Sequence, residues 1–147
     1  MDGGGRVTAR VLSGLLVPAD PGRSLAVCTV ADSAAAISDL LGGVLLDDPF
    51  TWGLGEEASA AVYVAEDRAG LPVNQRQSVV ATRLGIVDRA FHAAARGDAL
   101  ILGTRADRDL DVPAAVVVAA HRCGYPVTTG LAAPALPTPC PWSCPLT

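Results

Sequence analysis

The sequence contains no lysine, so all eleven of its basic side chains are arginine. Nothing in folding physics forbids lysine on a solvated surface, and coding bias is a simpler source of the absence than selection for bidentate anion recognition. Aromatic residues are scarce too, with two each of Trp, Tyr and Phe in 147 positions. A core must then be assembled from Ala, Val and Leu, which favours close approach of backbones over large rigid anchors. No apolar run reaches the roughly 18 residues that a membrane-spanning helix needs. The short run at 11–17 follows Arg6 and Arg10, but Gly14 breaks it and Pro18-Ala19-Asp20 is a poor cleavage context, so no secretion signal is expected. The four cysteines, at 28, 123, 140 and 144, are spaced too unevenly for the disulfide framework of a secreted mini-protein. A cytoplasmic protein with reduced thiols is the expectation. Also missing are a phosphate loop, a dinucleotide fingerprint and a Gly-framed Ser or Cys elbow to go with His92 and His121.

What is present bounds the class. A chain of 147 residues has room for one domain with a sizeable core and needs no staple. The net charge is −4 with the acids dispersed, and there is no basic stripe, which argues against nucleic acid and against an anionic membrane as partners. Arg76, Arg83, Arg89 and Arg96 recur at intervals that fit one helical face, read here as solvated.

Residues 1–6 lack apolar content and are expected to be disordered. Residues 7–17 and 25–30 read as strands joined by the turn Ala19-Asp20-Pro21-Gly22, a hairpin. Asp32 is the expected cap of a helix over 33–41, with Ile37, Leu40 and Leu41 on one face and Gly42-Gly43 ending it. A short strand at 44–46, a loop over 50–59 and a strand at 60–65 follow. Asn74 and Gln77 have capping-box spacing, which starts a helix at Gln75 that Gly85 interrupts; a second helical stretch covers 88–96. Next come a strand at 99–102, a charged turn at 104–111 and a last helix capped by Asp111, with Pro113 in its first turn and its end near Gly124. From Tyr125 onward six of 23 residues are Pro, so 125–147 is expected to be an extended tail or a strap laid over the domain. The fold class expected is α+β, one domain over 7–124, with a mixed, mostly antiparallel sheet and helices packed on one face in the order β-β-α-β-β-α-(α)-β-α.

Several short stretches are informative as an ordered set. They are Leu16-Val17-Pro18-Ala19-Asp20, Leu41-Gly42-Gly43, Val62-Tyr63-Val64 with Glu66-Asp67, Gly70-Leu71-Pro72-Val73-Asn74 leading into Ala81-Thr82, and Gly97-Asp98-Ala99-Leu100-Ile101-Leu102-Gly103. In this order they resemble the small proteins grouped as domain of unknown function 3846, found in actinobacterial genomes, plasmids and phages. The resemblance covers about residues 15–113. The spacing from Asn74 to Ala81-Thr82 is longer than that family's compact pattern, residues 85–96 look inserted, and the Cys-containing tail has no counterpart. The resemblance implies an accessory role on mobile elements and no mechanism.

Three groups of residues are candidate sites. Asn74, Ala81 and Thr82 lie where the resemblance is densest, and Asn74 at a helix N-terminus suits either capping alone or help in binding an anion or a backbone group. Glu66 and Asp67 at one strand end and Asp98 at the start of another are solvated turn acids or, if brought together, a seat for a hard cation or an acid–base pair. Cys140 and Cys144, with three residues between them in a proline-flanked stretch, are read first as part of an inert tail; the alternatives are zinc, if His121 and Cys123 complete the set, a local or intermolecular disulfide, or the modifiable end of a precursor peptide. Zinc is the only cofactor these residues suggest, and none is expected. The expected function is a non-enzymatic protein-interaction module whose partner is another protein, a second copy of the chain included. The rival readings are a precursor or metal-binding protein acting through the tail, and a small enzyme using Glu66, Asp67 and Asp98.

Overall fold

The computed structural model describes residues 10–132 apart from 47, 56–58, 68 and 94. In chain order the elements are β1 (Val11–Val17), β2 (Leu25–Ala31), α1 (Ala34–Leu41), β3 (Phe50–Gly53), β4 (Ser59–Tyr63), α2 (Gln75–Arg83) and α3 (Arg89–Ala93). They continue with β5 (Ala99–Arg105), β6 (Arg108–Leu110), α4 (Ala114–Arg122) and β7 (Val127–Ala132). The strands form one seven-stranded sheet in the order β3-β4-β5-β1-β2-β7, with β6 paired to the end of β5. Every pairing is antiparallel except β2 with β7. This is the mixed α+β architecture that the pattern of the sequence predicts.

Side chains on a strand alternate between faces, and the core divides accordingly. Leu15, Val17, Ile101, Ala60 and Val62 point to the face that carries Val80 and Ala81 of α2, Phe91 of α3 and Val116 and Ala120 of α4. Leu12, Leu16, Leu100, Leu102, Cys28 and Val30 point the other way, onto Ile37 of α1. The helices therefore do not all share one face: three do, and α1 covers the opposite one. The aliphatic strands β1 and β5 are buried on both sides because each face has its own helical cover.

The five-residue α3 is too short to hold itself. Phe91 anchors it, meeting Trp52 and Phe50 edge-to-face with both centroid distances at 5.3 Å. Those two aromatics account for a correction. Residues 50–59 read as loop because of the nearby glycines and Pro49, yet Phe50–Gly53 pairs with β4 as strand β3. Phe50 and Trp52 both pack into the core beside Phe91, a period-two signal hidden in four residues. The strand expected at 44–46 is only a single bridge, Leu45 with Ala65.

Other boundaries shift for local reasons. The cap of α1 is Ser33, whose hydroxyl accepts from the Ala36 N–H at 3.1 Å, and not Asp32, which pairs with Arg10 at 3.5 Å. Asp111 does not cap α4; its carboxylate accepts from the Ser13 N–H at 2.9 Å, and Pro113 opens the helix without a side-chain cap. The charged turn at 104–111 contains the β5–β6 hairpin, where Ala106 and Asp107 take φ of 51° and 64° as a two-residue primed turn requires. The domain does not stop at Gly124. Pro126 precedes a β-branched run, Val127-Thr128-Thr129, that enters the sheet beside β2. The N-terminal segment 1–6 and the tail from 133 to 147 lie outside the described residues.

Candidate functional site

One end of the sheet is organised by the first turn of α2. Asn74 has no exposed surface. Its Oδ1 accepts from the Gln77 N–H at 3.1 Å, which caps the helix, while its amide donates to Val17 O at 2.9 Å and Gly97 O at 2.8 Å. The Asn74 N–H donates to Ala95 O, so the reciprocal arm of the expected capping box is replaced by a bond to the loop before β5. Gln77 is also fully buried, and among the described residues neither end of its side-chain amide meets a hydrogen-bonding partner. Two residues after Asn74, the Arg76 guanidinium donates to Pro18 O, Asp20 O and Arg23 O, all at 2.6 Å. It also lies over the Tyr125 ring at 5.9 Å from the centroid. Burial among these groups lowers the Arg76 pKa from its ordinary value.

This end of the fold takes up most of the residues singled out from sequence. Asn74 is sealed inside and joins β1, α2 and the start of β5, so an anion has no access to it. Asp98 accepts from the Ala19 N–H at 2.8 Å and pairs with Arg23 at 3.8 Å. The register, with Tyr63 opposite Leu100, puts Glu66 and Asp98 at the same end of neighbouring strands, but Asp98 is drawn toward the β1–β2 turn while Glu66 and Asp67 are exposed. Ala81 is core. The four arginines do not share a helical face: α2 ends at Arg83, Gly85 takes φ of 84°, and Arg96 donates to Leu71 O. Among the described residues no three His, Cys, Asp or Glu side chains converge as a metal-holding set. His121 is exposed in the last turn of α4, and its partners in the proposed zinc set, Cys140 and Cys144, lie outside the described residues.

A second cluster gave no sequence signal. The Tyr63 hydroxyl meets both oxygens of Asp109, at 2.8 and 2.7 Å. Burial raises the Asp109 pKa, with Asp32 adding to the rise and Tyr63 and Arg10 opposing it. Burial and then Asp109 raise Tyr63 as well. Phenol and carboxylate belong to strands 46 positions apart in sequence, which no local pattern could link.

The remaining feature is a surface groove of about 410 Å³ where α2 meets the end of α4. Ser78, Val79, Thr82, Arg83 and Cys123 line it. Val79 leaves 42 % of its surface exposed there. The Thr82 hydroxyl donates to Ser78 O at 2.9 Å, so the wall it forms is already satisfied. The lining offers one cation, a thiol and an aliphatic side chain, with no carboxylate or imidazole. Of the sequence candidates the groove brings together Thr82 and Cys123. Val79 and Arg83 were missed because an exposed Val and a solvated Arg are ordinary on a helix.

No family model, curated protein or solved structure matches the chain. Among the described residues no helix is long and apolar enough to cross a membrane.

Proposed function

We propose that this chain is a non-enzymatic, cytoplasmic protein-interaction module that receives an apolar polypeptide segment in the groove between α2 and α4. One observation carries the reading. The polar groups that could do chemistry at the α2 end, Asn74, Arg76 and Asp98, are engaged in holding strands and turns together, while the groove beside them presents Val79, Thr82 and Cys123 to solvent. A concave surface with a small apolar floor and few convergent polar groups suits binding by shape, and an amphipathic or extended peptide is the usual occupant of a groove between helices. An accessory role of the kind found on plasmids and phages accords with the motif resemblance.

The test is a photo-crosslinking amino acid placed at Val79 and, as control, at the exposed Val44, in cells that produce the full chain. Adducts of defined polypeptides from Val79, lost when Thr82→Arg fills the groove, are expected. Adducts that are the same from Val44 and Val79, or none from Val79, would overturn the reading.

A further inference from the structure

The α2 wall of the groove consists of two ridges, each a pair of residues four apart and therefore neighbours on one side of the helix. Ser78 and Thr82 form one, closed by their own hydrogen bond. Val79 and Arg83 form the other, an exposed aliphatic side chain with an exposed guanidinium one turn further on. Given the proposed groove function, on which this rests, we infer that the segment received there is acidic as well as apolar. It sets an aliphatic side chain on Val79 and a carboxylate on Arg83.

Arg83 is available because the helix end does not use it. A basic residue in a last turn can cap the final carbonyls, but those of Val80, Ala81 and Thr82 already accept from the N–H groups of Leu84, Ile86 and Gly85. Other arginines of the fold are occupied: Arg10 by Asp32, Arg23 by Asp98, and Arg76 and Arg96 by carbonyl groups. Among the described residues no ion pair or side-chain hydrogen bond holds Arg83.

Charge then selects the occupant. None of the five lining residues is an acid, although acids outnumber bases in the chain by fifteen to eleven. Arg122, exposed in the last turn of α4 beside Cys123 in sequence, adds positive charge to the other helix end. A carboxylate entering the groove meets a free cation and no like charge, whereas a basic segment would be opposed by Arg83. The fork of the guanidinium also matches a carboxylate in shape. Residues four apart on α2 stand about 5–6 Å from each other at Cβ. A helical partner matches that distance with residues three or four apart, and an extended one with residues two apart, about 6.6 Å.

A dodecapeptide library displayed on phage and selected against the full chain reads the occupant directly. Enriched sequences are expected to carry Asp or Glu two to four positions from Leu, Ile or Val. One enriched peptide, synthesised with a fluorophore, then gives affinities by anisotropy. Thr82→Trp, which fills the groove without adding charge, should abolish binding. Arg83→Gln should weaken it about threefold and Arg83→Glu about tenfold, the range for a surface ion pair lost and then reversed. Lys in place of the peptide's acid should restore affinity for the Arg83→Glu chain. Raising the salt from about 0.05 M to about 0.5 M should weaken the acidic peptide and spare its Gln counterpart.

Enriched peptides without an acid, or an affinity indifferent to Arg83→Glu, would overturn the inference. So would failure to enrich any sequence. The two readings fail separately. Peptides that Thr82→Trp displaces but Arg83→Glu leaves bound keep the groove as a receptor and remove its preference for acid. Peptides sensitive to Arg83→Glu but indifferent to Thr82→Trp would place the acid's partner outside the groove and overturn both.

Discussion

The Tyr63 hydroxyl sits between the two oxygens of Asp109, at 2.8 and 2.7 Å, and fastens the β5–β6 hairpin to β4. Burial holds the Asp109 carboxyl above its ordinary 3.8, so the folded chain keeps this proton at pH values where the unfolded chain has lost it. The stabilisation is complete below 3.8 and disappears as pH rises through the folded-state value. Asp109→Asn removes the titration, so the urea midpoint of the wild type, relative to this variant, should rise on acidification from neutral pH. At the alkaline end the sign repeats: the unfolded phenol ionises near 10 while Tyr63 in the fold does not, so stability falls above that pH. Tyr63→Phe should cost about 1.5–2 kcal/mol at neutral pH, the lower part of the range for a hydrogen bond to a charged group, because the pair is only part-buried. A Tyr63→Phe chain with unchanged stability and an unchanged alkaline limb would refute this account.

Asn74 joins three elements through one amide. Asn74→Ala leaves Val17 O, Gly97 O and the Gln77 N–H without their side-chain partner in a buried setting. At about 1–3 kcal/mol for an unsatisfied buried group, and with partial relaxation, a loss of about 3–5 kcal/mol is expected in equilibrium unfolding. Asn74→Asp should be at least as damaging, since it retains the cap acceptor but turns a carboxylate toward two carbonyls. If Asn74→Asp matched the wild type, the cap alone would be the important bond.

How much of this was legible in the sequence follows from the range of each interaction. Asn74 as a cap was readable because cap and helix are neighbours in sequence; its bonds to Val17 and Gly97 were not, since they join positions 57 and 23 residues away. The two hairpin strands β1 and β2 and the buried β5 were readable from runs of aliphatic residues. Strand β3 was hidden because only Phe50 and Trp52 carry its pattern, and β7 because prolines on either side suggested a tail. The division of helices between two faces depends on strand order, which alternation does not encode. The groove is a product of how α2 crosses α4, so Thr82 and Cys123 could be named in advance but not placed together.

Gln77 offers a test in the opposite direction. It is fully buried on α2, and both its Nε2 and its Oε1 lack a partner among the described residues. Burying an amide without hydrogen bonds costs about 1–3 kcal/mol. Gln77→Met retains the unbranched shape and the helix propensity while removing both polar atoms. The expected result is a gain of about 1 kcal/mol, read as a higher urea midpoint at an unchanged denaturant slope. A loss of stability would mean that the amide is bonded in solution by a group outside the described residues.

Two glycines of the sheet should differ sharply when substituted, and their surroundings give the order. A Cβ on Gly14 would lie 2.8 Å from Leu100 Cδ1 and 2.9 Å from Leu102 Cδ2, the ends of side chains that can turn at some cost to packing. A Cβ on Gly103 would collide with the backbone carbonyl oxygen of Asp111, where no rotamer gives relief. Asp111 is fixed in turn, because its carboxylate accepts from the Ser13 N–H and the next residue, Val112, donates to Ser13 O at 2.7 Å. Movement of that carbonyl would pull the segment leading into α4 away from β1. Gly14→Ala is therefore expected to cost about 1–3 kcal/mol, as overpacking does, and to leave hydrogen-exchange protection of α4 in place. Gly103→Ala should cost more and raise exchange at Ser13 and Val112 together. Equal penalties, or exchange that rises at only one of those two amides, would show that the segment before α4 can yield independently of β1.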